Sequence, residues 1–149
     1  MGYYLAHDLI YHLIVFQAIL LLVILSNLWI MRRARRHPPP AVNPMVSILV
    51  PARDEERSIA GCVRSLLAQD YPSFEVLVLD DQSRDGTRVI LDTLALNQPR
   101  LRVLTGAPLP EGLLGKSWAC SQLAAQAQGK LLLFTDADTT FKPDALKSL

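Results

Sequence analysis

Hydrophobic positions follow two different patterns along the chain. Residues 9–31 form one apolar run without a charged residue, whereas the sequence from Met45 onward alternates short apolar runs with segments whose apolar residues recur every three to four positions. A helix over the first run spans about 34 Å at roughly 1.5 Å per residue, which is enough to cross a bilayer core. The second pattern is typical of strands that alternate with amphipathic helices.

The region after Met45 has the element order of an α/β domain. Strands are predicted at 46–50, 74–81, 101–106 and 130–138, and helices at 56–69, 85–96 and 116–129, with Gly129 as a helix C-cap and Pro143 in the first turn of a further helix. Strands that alternate with helices of this length predict right-handed βαβ units and a mostly parallel, Rossmann-like sheet. Because the strands are almost continuously apolar, we expect helices to cover both faces of the sheet.

The apolar run is predicted to be an uncleaved membrane anchor. Four arginines lie within residues 32–36, directly after the run, and no Lys or Arg precedes it. A secretory signal peptide has the reverse charge order and a cleavage site of small residues, so we disfavour it. The positive-inside rule places the N-terminus outside a cell membrane and the domain in the cytoplasm. The chain thus divides into a single-pass anchor with a basic flank at 1–36, a proline-rich linker at 37–44 and a domain at 45–149.

Overall charge and cysteine usage exclude some partners and some chemistry. The net charge is +1, so bulk electrostatics does not favour a nucleic-acid partner. Cys62 and Cys120 are the only cysteines, and each lies on the apolar side of a predicted helix. In a reducing cytoplasm we expect both to be small buried hydrophobic residues rather than a disulfide pair.

Acidic residues gather where three of the predicted strands end. The segments PARDE, DDQSRDG and TDADTT follow strands one, two and four, and they contribute Glu55, Asp80, Asp81, Asp85, Asp136 and Asp138. Carboxyl ends of parallel strands share one edge of the sheet, where ligands of α/β folds bind. Carboxylates gathered there suit Mg²⁺ or Mn²⁺ together with a substrate diphosphate. Capping of the second helix explains Ser83 and Asp85 equally well.

The three motifs, in this order and at this spacing, resemble the nucleotide-sugar-binding half of a GT-A glycosyltransferase of family 2. That family has strands ending in P-x-x-N-E-E, D-D-x-S-x-D-G-T and D-x-D, for which this chain has PARDEE, DDQSRDGT and DAD. The resemblance covers residues 45–149. It implies an inverting transfer of a sugar from a metal-bound nucleotide diphosphate sugar, with a UDP-sugar favoured as donor and Mn²⁺ or Mg²⁺ as cofactor.

The resemblance also implies which residues bind the nucleotide sugar. The base and ribose would be lined by Pro51, Ala52, Arg53 and Glu55. Asp80 would accept a hydrogen bond from the base, and its neighbour Asp81 belongs to the same site. Asp138 would ligate the metal directly, with Asp136 nearer the ribose or a metal-bound water.

A further segment, LPEGLLGKSWAC at residues 109–120, is similar to the same region of membrane-bound family members that act on lipids. These include hopanoid-associated, carotenoid and ceramide-type enzymes, so the resemblance implies a lipid or membrane-associated acceptor. Lys116 at the start of a helix could reach a phosphate, and an ordinary surface lysine is an equally good explanation.

Two other motifs are considered and disfavoured. PEGLLGKS differs from a phosphate-binding P-loop because Pro110 stands where that loop needs a glycine to curl around phosphate. LLLFTDADTT fits the opening of a haloacid-dehalogenase-like phosphatase, with Asp136 as nucleophile and Asp138 as general acid. That motif belongs on the first strand of its domain, whereas here it ends the fourth. The acids after two other strands also have no role in that mechanism.

A third alternative is a membrane-anchored nucleotide-binding module without catalysis. An inverting transferase needs a general base to deprotonate its acceptor. The family resemblance places that residue after the D-x-D motif, beyond Leu149. We therefore expect the chain to be the N-terminal part of a longer enzyme and to be inactive alone.

Overall fold

The computed structural model describes residues 2–34 and 43–148. The chain forms two compact units, one at residues 1–39 and one at residues 40–149. The first unit is helix α1, Gly2–Ala34, and its segment Ile10–Arg33 is long and apolar enough to cross a membrane. None of the described side chains in that segment is buried. Arg35, Arg36 and residues 37–42 of the predicted linker lie outside the described residues.

The second unit is a parallel α/β domain, as predicted. Its strands are β1 Val46–Ala52, β2 Phe74–Asp80, β3 Leu101–Thr105 and β4 Leu131–Phe134, and its helices are α2 Ile59–Leu67, α3 Thr87–Ala95 and α4 Gly115–Gln126. The sheet order is β3-β2-β1-β4, and all three strand pairs are parallel. Pro143 does not begin a helix, because the 3-10 turn that follows it starts at Ala145.

Helices cover both faces of the two central strands. Alternate residues of β1 and β2 point to opposite faces because the side-chain period of a strand is two. One face packs on Ile59, Val63 and Leu66 of α2 and on Leu91 of α3. The other face packs on Ala119 and Leu123 of α4. This arrangement confirms, for the two central strands, the prediction that helices cover both faces of the sheet.

Strand β4 departs from two predictions. It ends at Phe134 rather than at residue 138. The residue that follows, Thr135, still donates its N–H to the Leu49 carbonyl of β1 at 3.1 Å. The next donor in this ladder would be the N–H of Pro51, and proline has none. The strand is also not covered on both faces, since Leu131, Leu132 and Phe134 are 44–47% exposed. Strand β4 lies at the edge of the sheet with β1 as its one neighbouring strand, so the helices packed on the central strands cover less of it.

Helix α4 ends three residues before the predicted cap. Its last residue is Gln126, and Ala127 leaves the helix in an extended conformation. Gly129 instead packs against strand β1, where a Cβ would lie 2.5 Å from the Ser47 nitrogen and 2.8 Å from the Met45 carbonyl oxygen. The glycine is therefore needed for a close approach of two backbones rather than for a helix cap.

A buried carboxylate ties the end of α4 to the sheet. Glu75 of β2 accepts hydrogen bonds from the Ser47 hydroxyl at 2.6 Å, the Gln128 N–H at 2.7 Å and the Arg102 guanidinium at 3.3 Å. Burial raises the pKa of Glu75, but these three donors outweigh burial and the pKa is lowered overall.

The two cysteines differ in their surroundings. Cys62 is buried in the core, as predicted, with its Sγ 3.6 Å from the Asp136 carbonyl oxygen. Burial raises the pKa of its thiol to about 11, so the thiol is neutral and unreactive. Cys120 is only partly buried, which corrects the prediction for that residue. Neither cysteine forms a disulfide.

Candidate functional site

A cavity of about 390 Å³ opens at the carboxyl ends of β1, β2 and β4. The loops that follow these three strands and the first turn of α4 form its wall. The lining residues are Pro51, Ala52, Arg53, Glu55, Asp81, Gly115, Lys116, Ala119, Asp136, Ala137 and Asp138. Of the residues predicted to bind the nucleotide sugar or the metal, all except Asp80 are among them, and Asp85 of the predicted acidic edge is not. Sequence reasoning missed Gly115, Ala119 and Ala137, which are too small to carry a chemical signal.

Hydrogen bonds hold the loops after β1 and β2 against each other. The Asp54 N–H donates to the Ser83 hydroxyl at 3.0 Å, and the Arg84 N–H donates to the Asp54 carboxylate at 2.7 Å. One layer deeper, the Glu55 N–H donates to the hydroxyl of Thr87 at 2.8 Å. The wall formed by these loops is therefore cross-linked before any ligand binds.

Asp85 is part of this loop structure rather than of the cavity. Its carboxylate accepts hydrogen bonds from the N–H groups of Glu56 and Thr87, at 3.1 and 3.0 Å. The hydroxyl of Thr87 and these N–H groups lower the pKa of Asp85. The capping explanation therefore fits Asp85, which accepts the N–H of Thr87, the first residue of α3. It does not fit Ser83, whose hydroxyl accepts the Asp54 N–H from the neighbouring loop.

The adjacent aspartates Asp80 and Asp81 point in different directions. Asp80 is 5% exposed, does not line the cavity, and accepts a hydrogen bond from the Ser83 N–H at 3.1 Å. Asp81 lines the cavity with its side chain 18% exposed, 3.6 Å from the Arg53 guanidinium. Gly106 makes room for it, since a Cβ there would lie 3.1 Å from the Asp81 carboxylate.

The D-x-D motif forms a turn that presents two carboxylates to the cavity. Ala137 between them is 3% exposed and packs into the core. Its two neighbours, Asp136 and Asp138, are exposed to solvent. The Thr139 N–H donates to the Asp136 carbonyl at 3.4 Å and closes the turn. Both aspartates line the cavity from its exposed side.

Lys116 bridges the cavity from α4 to the D-x-D motif. Its ammonium group lies 2.6 Å from the Asp136 carboxylate, and both side chains are more than half exposed. The hydrogen bond and the charge of Asp136 raise the pKa of Lys116. A second cavity of about 430 Å³ shares Pro51, Lys116 and Asp136 with the first and extends toward Cys120 and Phe134.

The carboxylates of the site are the groups that could hold a cation. Within residues 2–34 and 43–148, no cluster of three or more His, Cys, Asp or Glu side chains is arranged to bind a metal. Among the described residues, Asp136 and Asp138 are the two carboxylates at the exposed end of the cavity, and this pair could face one ion.

Residues 47–149 match the protein family described as glycosyl transferase family 2. The chain belongs to this family. The match decides between the two enzyme classes considered from the sequence, because the phosphatase alternative requires a different family.

The family 2 chain is similar to proteins of several organisms. It is 34% identical over 133 residues to a beta-monoglucosyldiacylglycerol synthase of Synechocystis sp., covering 83% of this chain and 27% of the relative. It also resembles the structure of Staphylococcus aureus TarS 1–349 in complex with UDP, with a TM-score of 0.59, 33% identity, and coverage of 69% of this chain and 30% of that one.

A third similar protein is the mannosyltransferase PcManGT of Pyrobaculum calidifontis, solved in complex with GDP-Man and Mn²⁺. Its TM-score is 0.64 at 27% identity, with coverage of 83% of this family 2 chain and 38% of the mannosyltransferase. These neighbours confirm the GT-A-like parallel α/β fold of the domain. The chain spans 22–27% of the length of its first three curated relatives.

Proposed function

We propose that the cavity binds the nucleotide of a UDP-sugar together with Mn²⁺ or Mg²⁺. The enzyme of which this chain forms a part then transfers the sugar, with inversion, to a lipid or membrane-associated acceptor. Support comes from the glucosyldiacylglycerol synthase relatives and from TarS structures that contain UDP or UDP-GlcNAc. The Mn²⁺ in the mannosyltransferase structure supports the choice of a divalent cation.

The observation that carries this proposal is the distribution of charge along the cavity. At the end formed by the loops after β1 and β2, the lining carboxylates are the little-exposed Asp81 and Glu55, and Glu55 already accepts the Ser58 hydroxyl. Asp136, Asp138 and Lys116 form the exposed end. A nucleoside offers N–H donors that suit a single carboxylate, and a diphosphate with its cation suits a lysine beside two carboxylates.

The carboxylate pair fits Mn²⁺ or Mg²⁺ in its donor chemistry. Such ions prefer oxygen ligands, keep several waters, and are held in many sites by one or two carboxylates plus substrate phosphates. A pair of exposed aspartates is therefore a sufficient protein contribution. When bound, the ion would offset the charge that builds up on the leaving diphosphate.

Lys116 is suited to change partners when a nucleotide arrives. An ion pair between two exposed side chains is weak, because water and salt screen it. The ammonium group can therefore leave Asp136 for a phosphate oxygen, and Asp136 then becomes available to the cation. This exchange gives Lys116 the phosphate-binding role that its position predicts.

We assign the base contact to Asp81 rather than to Asp80. The Asp80 carboxylate already accepts the Ser83 N–H and lies away from the cavity lining. Its role is to shape the turn that presents Asp81. Pro51, Ala52, Arg53 and Glu55 line the same end and are proposed to contact the base and ribose.

Helix α1 is proposed to anchor the chain in a cell membrane, with the N-terminus outside and the domain in the cytoplasm. The acceptor is proposed to be a lipid, in line with the diacylglycerol named for the relatives. The general base is proposed to lie beyond Leu149.

Calorimetry on the full chain in nanodiscs tests the nucleotide site. UDP should bind in the presence of Mn²⁺ and lose most of its affinity after EDTA treatment, whereas the weaker binding of uridine should be unaffected by EDTA. Lys116→Met should lower UDP affinity severalfold and leave uridine affinity unchanged. Lys130→Met, an exposed lysine at the other end of β4, is the matched control. Equal UDP affinity with and without Mn²⁺ would contradict the proposal.

A further inference from the structure

The loop between β3 and α4 exposes an unusual amount of apolar surface. Every residue of this segment, 107–114, is exposed, and Leu109, Leu113 and Leu114 are 52%, 50% and 77% exposed. We call it the leucine loop. Its sequence, APLPEGLL, contains no Lys or Arg and a single acid, Glu111. Single exposed leucines are common on protein surfaces, but three in eight residues form a patch that marks an interaction site.

Hydrogen bonds hold the leucine loop at both ends, so it projects as a shaped element. Its first N–H, that of Ala107, donates to the side-chain carbonyl of Gln122 at 2.7 Å, and the Trp118 indole donates to the Ala107 carbonyl at 3.2 Å. At the far end, the Trp118 N–H donates to the Leu114 carbonyl at 2.9 Å and begins α4. A fixed loop loses little conformational freedom when its leucines are buried by a partner.

The leucine loop is directly connected to the nucleotide cavity. Gly115 and Lys116 follow Leu114 in the sequence and line the cavity wall. Anything that covers the loop therefore lies beside the cavity, at the carboxyl edge of the sheet. A partner at this position would fix the distance between the cavity and the surface of that partner.

The chain itself indicates which partner this is. Helix α1 is long and apolar enough to cross a membrane, and only residues 35–45 separate it from β1. A tether of this length keeps lipid at a high effective concentration around the domain. The loop suits a lipid surface, because leucine is among the residues most favourable in hydrocarbon and no cation has to be desolvated.

We propose that the leucine loop inserts its three leucines into the surface of the bilayer that holds α1. The mouth of the cavity then lies at the boundary between lipid and water, where a lipid acceptor exposes its polar head. This inference rests on the proposed membrane anchor and names the surface at which the proposed transfer takes place. It does not depend on nucleotide binding.

Lipid-depth quenching on the full chain tests the insertion. Leu114→Cys and Leu113→Cys are labelled with an environment-sensitive fluorophore in a Cys120→Ser background, since buried Cys62 is protected from labelling. The protein is reconstituted in phosphatidylcholine and phosphatidylglycerol liposomes that carry a shallow doxyl quencher. Leu96→Cys is the matched control, because Leu96 is 78% exposed against 77% for Leu114. It follows the last turn of α3, at the amino edge of the parallel sheet.

The two loop labels should be quenched severalfold more than the label at residue 96. Labelled chains are first isolated by flotation with the liposomes, and UDP affinity is measured on the same samples. Equal quenching at all three positions in floated protein would overturn the loop insertion, whatever the UDP affinity. Failure of the chain to float would overturn both the anchor and the loop insertion. Loss of UDP binding with strong loop quenching would contradict only the proposed nucleotide site.

Discussion

The acidic loops after β1 and β2 and the D-x-D turn after β4 use the same residue type in opposite ways. Asp54, Asp80 and Asp85 each accept backbone N–H groups from neighbouring residues, so their charge is used within the protein. Asp136 and Asp138 line the cavity from exposed positions, and the Asp136 carboxylate contacts the ammonium group of Lys116. Backbone N–H donors thus hold Asp54, Asp80 and Asp85 within the loop structure, whereas the pair after β4 faces the cavity from exposed positions.

The largest expected effect lies in the exposed pair. Asp138→Asn should abolish Mn²⁺-dependent UDP binding, because an amide oxygen is a weaker ligand for a hard cation than a carboxylate. Loss of a supporting residue already costs about 10- to 100-fold in metal affinity, so loss of a ligand should cost more than about 100-fold. Titration calorimetry with and without Mn²⁺ measures this. Uridine binding should survive, and a parallel loss of uridine binding would show that the variant damages the whole cavity.

The next effect distinguishes Asp81 from Asp80. Asp81→Asn should weaken uridine binding about tenfold or more, since a hydrogen bond to a charged group is worth roughly 1.5–3 kcal/mol. Asp92→Asn provides a matched control, because Asp92 is exposed on α3, where it pairs with Arg88.

Asp80→Asn should act mainly on folding, through the turn that its carboxylate holds. Calorimetry with uridine and urea unfolding on the same variants separate the two roles. Stronger loss of uridine binding in the Asp80 variant than in the Asp81 variant would reverse our assignment.

A smaller effect concerns the cross-linked loops. Thr87→Val keeps the shape of a fully buried side chain but removes the acceptor for the Glu55 N–H. A fully buried donor left unsatisfied costs about 1–3 kcal/mol. Because this bond is part-buried, the free energy of unfolding should fall by the lower end of that range, about 1 kcal/mol. Thr93→Val, on the exposed face of α3, should change it by less than about 0.5 kcal/mol. Urea denaturation followed by circular dichroism compares them, and equal stability of the two variants would show that this bond is replaceable.

The smallest effect is a pH dependence from the buried Glu75. Its pKa is lowered in the folded domain, so the ionised carboxylate contributes stability at neutral pH. That contribution is fully present above the ordinary glutamate pKa of 4.5 and is lost as the pH falls through the lowered value. Glu75→Gln should therefore flatten the fall in unfolding midpoint between pH 7 and the acid range. The exposed Glu111→Gln should leave that curve unchanged, and identical curves for both variants would remove Glu75 from the acid response.

Much of this protein could be predicted from the order of its residues. The uncharged run at 9–31, the alternation of apolar strands with amphipathic helices, and the acids at three strand ends depend on local composition and period. These features survive without tertiary contacts because helix and strand periodicity are properties of the backbone itself. The parallel sheet, the edge that carries the cavity and the family followed from them.

Other features were decided only when distant segments met. Which of Asp80 and Asp81 lines the cavity depends on the turn closed by Ser83 and on the space left by Gly106. The end of β4 depends on a missing N–H at Pro51 of the neighbouring strand. Lys116 reaches Asp136, 20 positions away, because α4 starts at the edge where β4 ends. Such contacts are set by register and close packing between strands and helices, and a local pattern carries no information about either.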